Sequence, residues 1–171
     1  YQELIFNQRY SSCKSLFAIN GTSPTTGNAQ FDSVNLIANS SYNFMVGGKV
    51  FPQKPINSQY NRAGYLQELR GAVGSIYDKN NCMSINSIEF LVDGVAASTT
   101  VAVPAKFYVA ANLEKLNSDA LLTGISTQNS PISYRINLGG TTAAASNITL
   151  IVNHDAIWEI ETATQLVTVR T

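Results

Sequence analysis

One adjacent pair in the sequence suggests acid–base chemistry, His154-Asp155. A nucleophilic triad would need a serine or cysteine activated by His154 and a carboxylate to orient the imidazole. Asp155 follows the histidine directly, and consecutive side chains of an extended chain point to opposite faces. No Gly-x-Ser-x-Gly elbow occurs. His154 therefore reads as a histidine at a strand bend or bulge whose ring makes a structural hydrogen bond. Residues 71–75, Gly-Ala-Val-Gly-Ser, are like the fringe of a phosphate loop but lack the Gly-Lys-Ser/Thr that completes one. Glycoside hydrolysis needs two carboxylates at a set separation. Glu89, Asp93, Glu114, Asp119, Asp155, Glu159 and Glu161 offer many pairs, and no spacing selects one. Cys13, Cys82 and a single histidine cannot build a metal cluster, so the thiols read as reduced and buried. The sequons at Asn20, Asn39 and Asn147 are no more than the Asn, Ser and Thr content gives by chance. No catalytic, cofactor-binding or metal-binding residue is assigned, and the chain is expected not to be an enzyme.

Composition narrows the partners. The 171 residues suit one domain with a self-supporting core. Eleven basic residues balance eleven acidic ones, which argues against a nucleic-acid binder that must neutralise phosphates. Charged residues are only 13% of the chain, and 17 Asn, 17 Ser and 14 Thr outnumber them. Such a surface repels its own copies weakly and favours close assembly. No stretch reaches the ~20 apolar residues of a membrane-spanning helix, so no transmembrane segment is expected.

The elements that must position these residues are mostly strands. Residues 132–138 alternate apolar and polar, the period of a half-buried strand. Residues 147–152 are rich in β-branched side chains, 153–155 interrupt, and 156–160 and 166–170 follow around a turn at 162–164. Residues 4–6, 16–19, 34–38, 42–46, 87–92 and 101–110 complete the strand candidates. Gly47-Gly48 marks a tight turn, and a loop with Pro52 and Pro55 is expected after it. Trp158 alternates with Ile160 and reads as core. Between residues 60 and 78, Tyr65, Leu66, Leu69, Val73, Ile76 and Tyr77 recur at helical spacing. Asn57-Ser58 could cap this helix, and Gly71 or Gly74 should fray its end. An all-β sandwich or barrel results, with one inserted helix covering an end or edge of a sheet.

The order of segments carries a resemblance. "GGKVFP" at 47–52 leads to "YNRAGYLQELRGAVGSIYDKNN" and the strand "SINSIEFLV". Later, "KFYVAANLEKLNSDALLTGISTQNSPISYRINL" leads to "NITLIVNHDAIWEI". Over residues 30–171 this resembles a jelly roll of the double-jelly-roll major capsid proteins, the lineage of virophages, polinton-like viruses and adenovirus hexon. The "TGISTQNSPI" turn before an alternating strand, and the closing "HDAIWEI", are most similar to the C-terminal jelly roll of the virophage and polinton-like branch. The resemblance implies a sandwich of two antiparallel four-stranded sheets with the helix near residues 60–78. It also implies homotrimers forming pseudo-hexagonal capsomers of an icosahedral virion, assembled in the infected cell. Neighbouring capsomers, penton and minor capsid proteins would be the partners. A family member carries two jelly rolls, so residues 1–171, which begin at Tyr1, are expected to be one jelly-roll domain of a longer chain. The competing readings are a lectin-like or receptor-binding jelly roll, with Tyr10, Tyr60 or Tyr134 exposed on one face, and an enzyme centred on His154.

Overall fold

The computed structural model describes residues 2–21, 40–57, 61–74, 108–114, 123–138 and 147–171. Its strands are β1 (Gln2–Phe6), β2 (Cys13–Gly21), β3 (Ser40–Val46), β4 (Lys49–Asn57), β5 (Val109–Asn112), β6 (Ile132–Leu138), β7 (Asn147–His154), β8 (Ile157–Glu161) and β9 (Leu166–Arg170). One helix, α1 (Arg62–Val73), lies between β4 and β5. Strands make up 59% of the described residues, as the all-β reading requires.

The alternation in β6 sorts its two faces. Ile132, Tyr134 and Ile136 are buried on one face; on the other, Ser133 is buried as well, Arg135 is half-buried and Asn137 exposed. β6 lies inside a four-stranded antiparallel sheet ordered β1-β6-β3-β4. Opposite it, β3 presents Tyr42, Phe44 and Val46 in register with Ile136, Tyr134 and Ile132. Such directly opposed apolar pairs are the unit of sheet stabilisation. A second sheet is ordered β5-β2-β7, and among the described residues β8 and β9 pair only with each other. The expected two four-stranded sheets are thus sheets of four, three and two strands among the described residues. The expected strands at 34–38 and 87–92 fall outside those residues.

The core lies between the two larger sheets and α1. Leu16, Ala18, Val109 and Ala111 come from the second sheet, and Tyr65, Leu66, Leu69 and Ala72 from the helix. The Tyr42 hydroxyl donates to the Ala110 carbonyl at 2.8 Å, tying one sheet to the other. Burial pushes this phenol well above the usual tyrosine range.

The helix follows the 3.6-residue spacing. Asn61 caps it, accepting from the Gly64 N–H at 3.1 Å, rather than Asn57 or Ser58. It ends at Gly74, within the expected fraying region, while Ile76 and Tyr77 lie outside the described residues. The expected loop after Gly47-Gly48 is a correction, because residues 49–57 are strand. Gly47 and Gly48 have φ of 57° and 78°, the doubly positive pair that matches a two-residue hairpin to strand twist. The β3–β4 register jumps from Tyr42↔Ile56 to Phe44↔Phe51. The extra residues of β4 contain Pro52 and Pro55, and among the described residues β4 is an edge strand, where a missing N–H is tolerated. Among the described residues, no helix is long and apolar enough to cross a membrane.

Candidate functional site

β7 runs through Asn153 to His154 instead of stopping at Val152, and this extension brings the polar residues of the sequence together. Opposite it, the β2 register shifts between Cys13↔His154 and Ser15↔Asn153, leaving Lys14 as the bulged residue. The Lys14 ammonium lies 3.0 Å from Asp155 Oδ1 and 3.7 Å from Glu114 Oε1. The hydrogen bond to Asp155, with the field of both carboxylates, holds the lysine above its usual range against a smaller desolvation effect. Ser12 Oγ donates to Asp155 Oδ2 at 2.8 Å and accepts from the Gly124 N–H at 3.1 Å. Thr123 donates to Glu114 at 2.9 Å. Gly124 packs so closely on Cys13 that an added Cβ would sit 2.3 Å from its carbonyl oxygen.

These bonds lock the start of β2, the end of β5, residues 123–125 and the end of β7. They do not form a triad. The His154 ring stacks on Tyr10 at 4.1 Å, and its Nδ1 lies 3.2 Å from the carbonyl oxygen of Asp155. The Ser12 hydroxyl is fully buried and already engaged on both sides. His154 lies at a bulge, as its sequence context suggested. Cys13 is buried with a free thiol, which desolvation pushes up to about 12, so it is held protonated and unreactive at neutral pH. Cys82 lies outside the described residues.

The other flagged residues disperse. Of the acids, Glu114 and Asp155 converge on one lysine, whereas Glu159 pairs with Arg170 at 2.8 Å. Glu161 accepts from Thr164. Glu89, Asp93 and Asp119 lie outside the described residues. Residues 71–74 occupy the C-terminal end of α1 and its cap, where carbonyls rather than N–H groups point outward, the wrong polarity for phosphate. The backbones of Asn20 and Asn147 are paired in β2 and β7, and Asn39 lies outside the described residues. Tyr134 is fully buried and Tyr10 is stacked on His154, so neither supplies an exposed aromatic face. Tyr60 lies outside the described residues.

Two features were not read from the sequence. The first is a cleft of about 250 Å³ between residues 7–9 and residues 127–131. Its walls are fixed by Thr127, whose Oγ1 accepts from the Tyr10 N–H at 2.8 Å and whose N–H donates to the Tyr10 carbonyl at 2.9 Å. Asn7, Gln8, Gln128 and Asn129 give it an amide lining with one cation, Arg9. The "TGISTQNSPI" turn supplies five of the eight lining residues and was the available signal.

The second feature corrects the reading of Trp158 as core. Trp158 is 68% exposed and Ile160 66%. Cross-strand pairing puts Trp158 beside Val169 and Ile160 beside Val167 on one face of the β8–β9 hairpin. The other face carries Ile157, Glu159 and Glu161 opposite Arg170, Thr168 and Leu166. Alternation identifies the two faces of a ribbon, but a two-stranded ribbon has no second layer to make either face a core. Comparison of the chain with family models, curated proteins and solved structures found no match.

Proposed function

We propose that this chain is a structural protein, one jelly roll of a viral major capsid protein of the double-jelly-roll kind. In this reading it forms homotrimeric, pseudo-hexagonal capsomers that tile an icosahedral virion beside penton and minor capsid proteins. The observation that carries the reading is the path of the chain. β1, β3, β4 and β6 belong to one sheet and β2, β5 and β7 to the other, so successive segments cross repeatedly between two packed layers. Jelly rolls are built this way. A helix follows β4 and a turn precedes β6, an order this reading accommodates. The neutral polar surface suits contacts between identical subunits.

Light scattering on the complete natural chain, with its intact denatured mass, tests this reading. A trimer of subunits about twice 18.5 kDa is expected. A monomer at every concentration overturns it. The cleft beside Arg9 favours a second reading, a jelly-roll binding module, because amides offer both donors and acceptors to a polyhydroxylated ligand. Saturable glycan binding abolished by Arg9→Ala would support that module, and a glycan array without hits would remove it.

A further inference from the structure

We propose that the cleft between residues 7–9 and 127–131 binds a carboxylate-bearing sugar, the Arg9 guanidinium taking the carboxylate and the surrounding amides taking ring hydroxyls. The inference deepens the binding-module reading and rests on it, while the assembly reading is untouched by either outcome. Charge is the first observation. The strand register gathers three segments at one end of the four-stranded sheet, since Phe6 faces Ile132, Ile132 faces Val46 and Val46 faces Lys49. The segments at this end, residues 7–9, 47–49 and 126–131, contain two cations, Arg9 and Lys49, and no acid. Among the described residues neither cation has a carboxylate partner, whereas Lys14, Arg135 and Arg170 each have one. In a chain of zero net charge, this end is therefore a local positive field available to an anion.

The cleft also fixes where Arg9 stands. The fully buried Thr127 hydroxyl accepts from the Tyr10 N–H at 2.8 Å and donates to the Gln8 carbonyl at 3.3 Å, so the backbone is pinned on both sides of Arg9. The Ser130 N–H closes the facing turn on the Thr127 carbonyl at 3.3 Å. A guanidinium presents parallel N–H groups that match the two oxygens of a carboxylate. One cation in the lining balances one charge, which favours a carboxylate over a phosphate monoester carrying about −1.5 to −2. The side chains of Asn7, Gln128 and Asn129 each bring donors and an acceptor, the combination a ring hydroxyl needs, and none is engaged elsewhere among the described residues. Among those residues no aromatic ring lines the cleft, Tyr10 being stacked on His154. A neutral sugar would thus lack a stacking face, and its hydroxyl contacts would do little more than replace those to water. The carboxylate supplies the net gain. At about 250 Å³ the cleft is just below the ~300 Å³ where sites for drug-sized ligands begin, so it takes a single ring.

The methyl glycosides of glucuronic and galacturonic acid differ from methyl glucoside and methyl galactoside only in a carboxylate replacing the hydroxymethyl group. Each is titrated against the complete chain by ligand-observed NMR. At least one uronide should bind saturably, about tenfold or more tighter than its neutral counterpart. Arg9→Gln should abolish that difference, and Arg9→Lys, which keeps the charge but not the fork, should restore only part of it. Arg9 is exposed, so neither variant disturbs the core, and an unchanged unfolding midpoint checks this. Arg70→Gln, which removes an exposed cation on α1 outside the cleft, should bind as the unmodified chain does. Equal binding of acidic and neutral sugars would overturn the proposal and leave the binding-module reading standing. A preference for the acid that survives Arg9→Gln would overturn it by placing the carboxylate elsewhere. Acetate that displaces the uronide at equal concentration would overturn it too, since the site would then read a carboxylate without its sugar. Binding by neither class would overturn both the proposal and the binding-module reading of this cleft.

Discussion

The Asp155 carboxylate joins Lys14 and Ser12, and its removal acts on both. Asp155→Ala leaves the Lys14 ammonium without its nearer carboxylate and the buried Ser12 hydroxyl without its acceptor. A loss of about 2 kcal/mol in denaturant unfolding at pH 7 is expected. Because Asp155 raises the folded-state pKa of Lys14, the ion-pair share of that stability is fully present below the unfolded lysine value of about 10.4. It is lost as pH rises through the folded value, so the gap between variant and parent should narrow there. Glu68 has the opposite sign. Partial burial on α1 raises its carboxyl pKa, which means the charged form costs stability at neutral pH. Glu68→Gln should therefore raise the melting temperature at pH 7, and the gain should vanish once acid protonates the parent's carboxyl in both states. The sequence placed Glu68 off the apolar stripe of the helix. Its half-burial comes from tertiary packing, which helical spacing does not report.

The elements divide by how local their causes are. β6 is legible to the residue, since Ile132–Leu138 alternates and Gly139-Gly140 follows it in the sequence. The hairpin turn at Gly47-Gly48 is equally local, and Gly48→Val should cost about 1–2 kcal/mol by forcing a β-branched residue to φ of 78°. Chemical denaturation checks this, and Gly71→Val, at a helical position with open space, gives a comparison without positive φ. β4 was hidden because its prolines argue against a strand, and only an edge position lets them be absorbed as extra residues. The polar clasp was hidden for a different reason. Ser12, Lys14, Glu114, Thr123 and Asp155 are scattered along the chain, and only the β2–β7 and β2–β5 pairings bring them together.

The whole molecule is held by contacts between layers. Tyr42→Phe keeps the ring among Phe44 and Tyr65 but leaves the Ala110 carbonyl unpaired between the sheets. A loss of about 1–2 kcal/mol is expected by thermal or urea unfolding, with little change in the denaturant slope because the buried area is retained. The strand order has a further consequence, in time rather than in space. Among the described residues β1 pairs with β6 alone, Gln2 facing Ile136, and β2 pairs with β7, Cys13 facing His154. Chain closure on this scale must precede the contacts that reward it, so refolding should take milliseconds to seconds, slow for a domain of this size. On the ribosome, the first two strands emerge long before the segments that complete their sheets. They must be kept from pairing elsewhere until residues 132–154 have been made, which makes the nascent chain, rather than the finished fold, the stage most open to chaperones and to misassembly.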